Sequence, residues 1–183
     1  MMITEVYTDR LRLRPFQESD FAPWYACVGD PETARLMGGD HPENETEARE
    51  LFFLVLKPGR GFLAICPREG EGYLGHLCVS EPYPPVQALT AITGRRGVSV
   101  SYAVAKEHRR QHIAQEAVSG LIRRLFRDGD CDYVNCGYLE FNAASAALQK
   151  KLGFLELCSH FQTVEGRRVR VMENILYRRE NAQ

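Results

Sequence analysis

Residues Tyr102 to Ala117 constrain what this chain can fold into more than any other stretch. An apolar extended run ends in a cationic, donor-rich loop, and an amphipathic helix follows at once. The helix expected over Ile113–Arg127 carries Ala114, Ala117, Val118, Leu121, Ile122 and Leu125 on one stripe, with Gln115, Glu116, Arg123 and Arg124 off it. A helix start leaves four backbone N–H groups without intrahelical partners and carries roughly half a positive charge, so it attracts anions. Arg109 and Arg110 add full charges there, both expected to face solvent, and His112 adds a further donor. After a strand, that combination reads as a seat for a phosphorylated cofactor. The same residues also suit an ordinary basic helix start on a solvated surface.

The bulk of the chain confines such an anion site to one place. With 183 residues, a net charge near −1, 44% apolar and 26% charged residues, the protein is an ordinary globular chain and no general polyanion binder. Nucleic acid is therefore not an expected partner. No run reaches the roughly 18 apolar residues that span a bilayer, and no signal-peptide pattern opens the chain. The six cysteines include no C-x-x-C pair, and most lie in apolar runs such as Leu63–Cys66 and His76–Val79. They read as reduced, buried small hydrophobes of a cytoplasmic protein. The five histidines are scattered, so no metal site is expected.

No repeat or linker divides the sequence, which reads as a single domain over residues 1–183 with its core at about 8–178. Alternating Leu and Arg over Leu11–Pro15 give a first strand with the pattern of a half-buried edge. Ser19 or Asp20 caps a helix to about Val28, and Asn44 opens another over Glu45–Leu56, with Ala48, Leu51, Phe52 and Val55 on one face and Pro58 and Gly59 as its stop. Extended runs follow at Gly61–Cys66, Tyr73–Ser80 and Val98–Val104. Between the last two lies Glu81–Gly97, a stretch long enough to be either a functional or mobile loop or a disordered insertion. After the helix from Ile113 come a buried strand Tyr133–Leu139, a helix capped by Asn142 and ended by Gly153, and two strands, Leu155–Thr163 and Arg168–Tyr177, around a Glu165-Gly166 turn. This order is an α+β plan: a mixed central sheet with helices on both faces.

Three segments resemble the GNAT acetyltransferase superfamily. Arg109-Arg-Gln-His-Ile-Ala114 is similar to its acetyl-CoA loop, Gln/Arg-x-x-Gly-x-Gly/Ala, with His112 in the usual place of glycine. Asn142-Ala-Ala-Ser-Ala-Ala-Leu-Gln-Lys-Lys-Leu-Gly-Phe154 resembles the Asn-x-x-Ser…Gly-Phe element of its ribosomal-protein, Rim-type branch. Thr8-Asp-Arg-Leu-Arg-Leu-Arg-Pro15, then Ser19-Asp20-Phe21 and Asp30-Pro-Glu32, is similar to that branch's opening.

The resemblance implies a GNAT-like acyl-CoA N-acyltransferase fold and an acetyl-CoA-dependent N-acetyltransferase. Its acceptor would be an amine-bearing substrate, a protein N-terminus or a small amine, with a homodimer left open. Ala103 and Val104 would lie nearest the pantetheine arm. The pyrophosphate would rest on the N–H groups of Gln111, His112, Ile113 and Ala114, with Asn142 also on the cofactor side. His112 keeps its backbone donor if its φ is helical and its ring points outward; the competing reading is a damaged site. Many relatives protonate the departing thiolate from a tyrosine whose place Gln149 holds here; the Rim-type branch has a serine in its Asn-x-x-Ser pattern, a place that Ser145 occupies. Ser145 is thus either the catalytic acid or a first-turn residue serving backbone donors. Relatives often carry a glutamate base where Ser99 stands, which leaves His76, Glu140 or ordered water. A non-catalytic acetyl-CoA sensor or an interaction module of the same fold is the alternative.

Overall fold

Among the described residues of this computed structural model, eight strands join one sheet, in the order β1-β2-β3-β4-β5-β6-β8-β7. The structure describes residues 5–38, 41–57, 59–129 and 131–179. The elements are β1 Val6–Tyr7, β2 Leu11–Pro15, α1 Phe21–Val28, α2 Pro31–Met37, α3 Glu45–Leu56, β3 Phe62–Pro67, β4 Gly75–Ser80, α4 Pro84–Gln87, β5 Gly97–Val104, α5 Ile113–Arg127, β6 Tyr133–Leu139, α6 Ala143–Leu152, β7 Leu155–Val164 and β8 Arg167–Tyr177. Every pairing is antiparallel except β5 with β6.

That parallel pairing is short, and it shapes the molecule. β5 meets β6 only from Gly97↔Tyr133 to Ser99↔Asn135, although both strands run several residues further. Beyond Ser99 the two part, and the sheet opens into a V. Each arm is held by its other neighbour: β5 by β4 from Ser99 to Val104, β6 by β8 from Tyr133 to Leu139. Backbone groups on the inner edges of the V are left for something other than the sheet.

Apolar clusters cover the sheet on both faces. α5 buries Ala117, Val118, Leu121 and Leu125 against Leu13, Ile65, Leu77, Val100 and Val134. On the opposite face α1 and α3 bring Trp24 and Phe52 against Phe16, Ala64, Cys66 and Ala103. Leu121 and Leu125 are wholly buried, and truncating either to alanine would cost about 2–5 kcal/mol.

Several sequence expectations change. The Leu11–Pro15 strand is interior, because β1 pairs outside it. Its Arg14 is buried and binds both carboxylate oxygens of buried Asp20, at 2.6 and 2.8 Å, so the alternating arginines do not mark an exposed edge. Asp30-Pro-Glu opens a helix, α2, that periodicity did not suggest. On α3, Leu51 is exposed rather than on the buried face, and Pro58 lies outside the described residues. Residues 81–97 form a packed strap rather than a disordered stretch: Val86 and Ile92 are buried against Tyr133 and Ile175.

Candidate functional site

The V opens onto a cleft of about 790 Å³, walled by the end of β5, the loop into α5, the first turns of α6, and α2. Tyr102, Ala103 and Val104 form its β5 edge, and Arg109, Arg110, His112, Ile113 and Ala114 its loop side. Asn142 and Ser145 line the α6 side. Ala114, expected on the buried stripe, is half-buried and faces the cleft instead.

The loop carries two left-handed residues that are not glycine. Arg110 has φ 60° and His112 has φ 61°. The helical φ expected of His112 is therefore not what it adopts; it takes the conformation that glycine takes freely. Each such residue costs about 1–2 kcal/mol. What this conformation secures is direction: His112 is the N-cap of α5, and Glu116 N–H is the donor that reaches back to its carbonyl, at 3.0 Å. The earlier N–H groups of the first turn point out along the helix axis, at its positive end. Glu116 anchors this turn to the far side, accepting from Thr8 Oγ1 at 2.6 Å and from Arg10 N and Nε at 2.8 and 2.7 Å.

Arg109 departs most from expectation. It does not face solvent as a free cation. Its guanidinium donates to Glu32 at 2.5 Å, to Asp30 at 3.0 Å and to the Thr33 hydroxyl at 2.6 Å. Asp30 caps α2 through Thr33 N–H and Oγ1, both at 2.9 Å. Those Thr33 hydrogen bonds, ahead of Arg109, hold the Asp30 carboxyl down at about 2. Arg109 thus braces α2 across the mouth of the cleft, and its charge is already matched. The exposed positive charges lining the cleft are Arg110, Lys106 and Lys151, and of these Lys106 also lies 3.6 Å from Asp30.

Where α6 meets the V, four polar side chains form one directed chain. Asn174 Nδ2 donates to Gln149 Oε1 at 2.9 Å, and Gln149 Nε2 donates to Ser145 Oγ at 3.1 Å. Ser145 Oγ lies 2.7 Å from the Tyr102 hydroxyl. Ser145 N–H is satisfied by Asn142 Oδ1 at 3.1 Å, which makes Asn142 the cap and frees the serine hydroxyl from backbone duty. With Gln149 filling one acceptor site on Ser145, the serine can donate to Tyr102, whose own O–H then points into the cleft. Burial pushes the Tyr102 phenol above its ordinary value, so it holds its proton. Gln149, wholly buried, is the link of this chain rather than its end. Tyr102 was missed from sequence, although the period of two puts it on the same face as Val100 and Val104.

The other proposed bases fall away from the cleft. His76 is buried, its Nδ1 2.6 Å from the Tyr73 hydroxyl, and burial lowers its pKa to about 4. Glu140 is exposed and accepts from Arg170 N–H at 3.2 Å. Ser99 sits at the crotch of the V as the last β5 residue paired with β6.

Comparison with known proteins gives the architecture a family. A model of the acetyltransferase (GNAT) domain matches residues 10–155. No curated protein matches significantly. Among solved structures, a GNAT-family acetyltransferase from Bacillus anthracis superposes with a TM-score of 0.81 at 12% identity, covering 97% of this chain and 100% of that one. Spermidine N-acetyltransferase from Vibrio cholerae, solved with CoA and spermine, gives 0.76 at 14% identity over 93% and 97%. Ribosomal-protein-S5-alanine acetyltransferase from Vibrio fischeri gives 0.68 at 14% over 96% and 97%. At such identities the likeness is one of fold, but the family match spans most of the sequence. The chain belongs to the GNAT family and is an acetyltransferase.

Proposed function

We propose that this chain is a one-domain N-acetyltransferase that moves an acetyl group from acetyl-CoA directly to a primary amine, on a protein N-terminus or on a small molecule. The observation that carries the reading is the parting of β5 from β6 beside a helix start held open for an anion. Acetyl-CoA fits the residues present. The β5 edge that β6 leaves uncovered beyond Ser99 runs past Ala103 and Val104 and suits the amides of a pantetheine arm, and the N–H groups at the start of α5, from Gln111 to Ala114, suit a pyrophosphate. Arg110 supplies the uncommitted charge, each charge-assisted hydrogen bond being worth about 1.5–3 kcal/mol. When bound, acetyl-CoA supplies an acyl group activated as a thioester.

The chain's own residues then handle protons. The Tyr102–Ser145 pair is a protonated, partly buried hydroxyl couple on the edge of the V, suited to giving a proton to a departing thiolate. Burial holds Cys136 protonated in the core, which supports direct transfer over a covalent acetyl-enzyme. An amine panel scored by thiol release tests the reading. Release above background with at least one alkylamine supports direct transfer to a primary amine; acetyl-CoA binding with no release on any amine overturns it.

A further inference from the structure

We infer that His160 and Glu173 form the proton-accepting seat for the acceptor amine, on the sheet face opposite α5 and α6; this inference rests on the acetyl-transfer reading above. Glu173 lies in the middle of β8, between β6 and β7. Its neighbour Asn174 points to α6 and bonds Gln149, so alternation along the strand turns Glu173 to the other face. There its side chain is only 7% exposed. Oε2 accepts from Asn135 Nδ2 at 2.9 Å, and Oε1 lies 3.1 Å from His160 Nε2. The carboxylate lies across Gly137, where a Cβ would fall 3.0 Å from both its oxygens, so glycine keeps room for it. Among the described residues no lysine or arginine pairs with Glu173; its ionic partner is His160. A buried carboxylate without a permanent cation is expensive, and such a group belongs where a cation arrives.

The position is the right one. Asn135 is the β6 residue at the crotch of the V, and Gly137, two residues on, is exposed along the open edge opposite exposed Ser101 of β5. The Tyr102–Ser145 pair therefore stands on one face of the opening and the Glu173 carboxylate, over Gly137, on the other, with His160 behind it on β7. Tyr83, at the start of the strap over residues 81–97, stacks on the His160 ring with centroids 4.9 Å apart and walls the seat. Nearby titratable groups are Tyr83 of the strap, Cys158 of β7 and Cys136 of β6. Burial first, and the charge of Glu173 second, raise both thiols, so neither carries charge there.

An alkylamine is an ammonium ion at neutral pH and has no lone pair to attack with. With Glu173 accepting the Nε2 proton, His160 is held in the tautomer whose Nδ1 lone pair is free, on a ring 24% exposed. Nδ1 takes one N–H proton, and the carboxylate stabilises the imidazolium formed. The amine lone pair makes the N–C bond to the acetyl carbonyl carbon and the C–S bond breaks. The second N–H proton, strongly acidic once the nitrogen has bonded the acetyl carbon, leaves to solvent, and the thiolate takes a proton from the Tyr102–Ser145 side, which regains it from solvent. One proton is released per turnover. His160 is the catalytic residue and Glu173 its positioning residue, and the acceptor class is a primary amine that arrives protonated.

The test compares two acceptors at saturating acetyl-CoA: an alkylamine, and methoxyamine, which is already neutral at pH 7. His160→Gln should lower kcat/KM about 100-fold for the alkylamine and less than about 3-fold for methoxyamine. Alkylamine activity of the variant should climb steadily with pH as the free amine becomes available. Glu173→Gln should cost about 10-fold and displace the acidic limb of the pH profile, with acetyl-CoA affinity unchanged in both variants. Should Glu173→Gln fail to fold, the more exposed His160→Gln decides alone. Full alkylamine activity in His160→Gln, or equal losses on both acceptors, overturns the inference while leaving acetyl transfer standing. A wild-type protein that binds acetyl-CoA and acetylates neither amine overturns the transfer reading, and this inference with it.

Discussion

The loop from Arg109 to Ala114 and the cluster around Glu173 flank the same opening in the sheet, yet they are built in different ways. The loop is contiguous, and its chemistry belongs to the backbone: left-handed Arg110 and His112 aim N–H groups at the end of α5. The cluster brings together Asn135, His160 and Glu173 from β6, β7 and β8, and its chemistry belongs wholly to side chains. A backbone site tolerates unusual residues if they reach the needed φ, which is how histidine can stand where relatives carry glycine. A side-chain site tolerates little, because each member fills a hydrogen bond of another. Changes in the loop should therefore act on cofactor affinity or stability, and changes on the strands and α6 on turnover.

The largest break in that comparison should come from Arg109, a loop residue with a structural job. Arg109→Glu sets a third carboxylate beside Asp30 and Glu32 and should release α2, costing about 2–4 kcal/mol. Thermal unfolding would show it as a fall of about 5–15 °C, with cofactor affinity lost alongside. A melting temperature within a degree of wild type would mean the brace carries no stability.

Ser145→Ala should come next, and it sharpens the contrast. Losing the hydroxyl between Gln149 and Tyr102 should lower kcat about 10- to 1000-fold with little change in acetyl-CoA affinity. Single-turnover kinetics at saturating acetyl-CoA reads it, and wild-type kcat would move the thiolate's proton donor elsewhere.

Acid acts on the core before it acts on the brace. His76 is neutral when folded, with a pKa of about 4, whereas the unfolded chain takes up that proton near pH 6.5. The unfolded state then binds more protons between those values, so stability should fall by roughly 3 kcal/mol as pH drops from 6.5 to 4 and level off below. Asp30, held at about 2, keeps its contribution above pH 4 and loses it only as pH falls towards 2. Denaturant unfolding across pH should show this order, and His76→Phe should flatten the upper part of the curve.

The smallest effect belongs to His112→Gly. Relief of the left-handed backbone, about 1–2 kcal/mol, is offset by roughly 0.5–1 kcal/mol of glycine's chain entropy, so stability should hardly move. CoA affinity should stay within about twofold, and a tenfold loss would make the imidazole itself a phosphate ligand.

Sequence reasoning reached what is local. The helix stripe of α5, the Asn142 cap, the Gly153 stop and the hairpin at Glu165 are short-range patterns, each set by neighbours in the chain. It missed what only the folded sheet brings together. Arg109 looks like a free cation until α2 supplies Asp30 and Glu32 from far upstream. Tyr102 reads as one more strand residue until α6 sets Ser145 against its hydroxyl. Glu173 and His160 are unremarkable letters in two β-strands, and only the register of β8 between β6 and β7 makes them a pair.

Calorimetric titration of CoA tests the division of labour between loop and strands most directly, on wild type, Arg110→Glu and His160→Gln. The account predicts micromolar binding that weakens as salt rises, a loss of about tenfold or more in Arg110→Glu, and unchanged affinity in His160→Gln. No heat with the wild-type protein, or equal weakening in both variants, would contradict it.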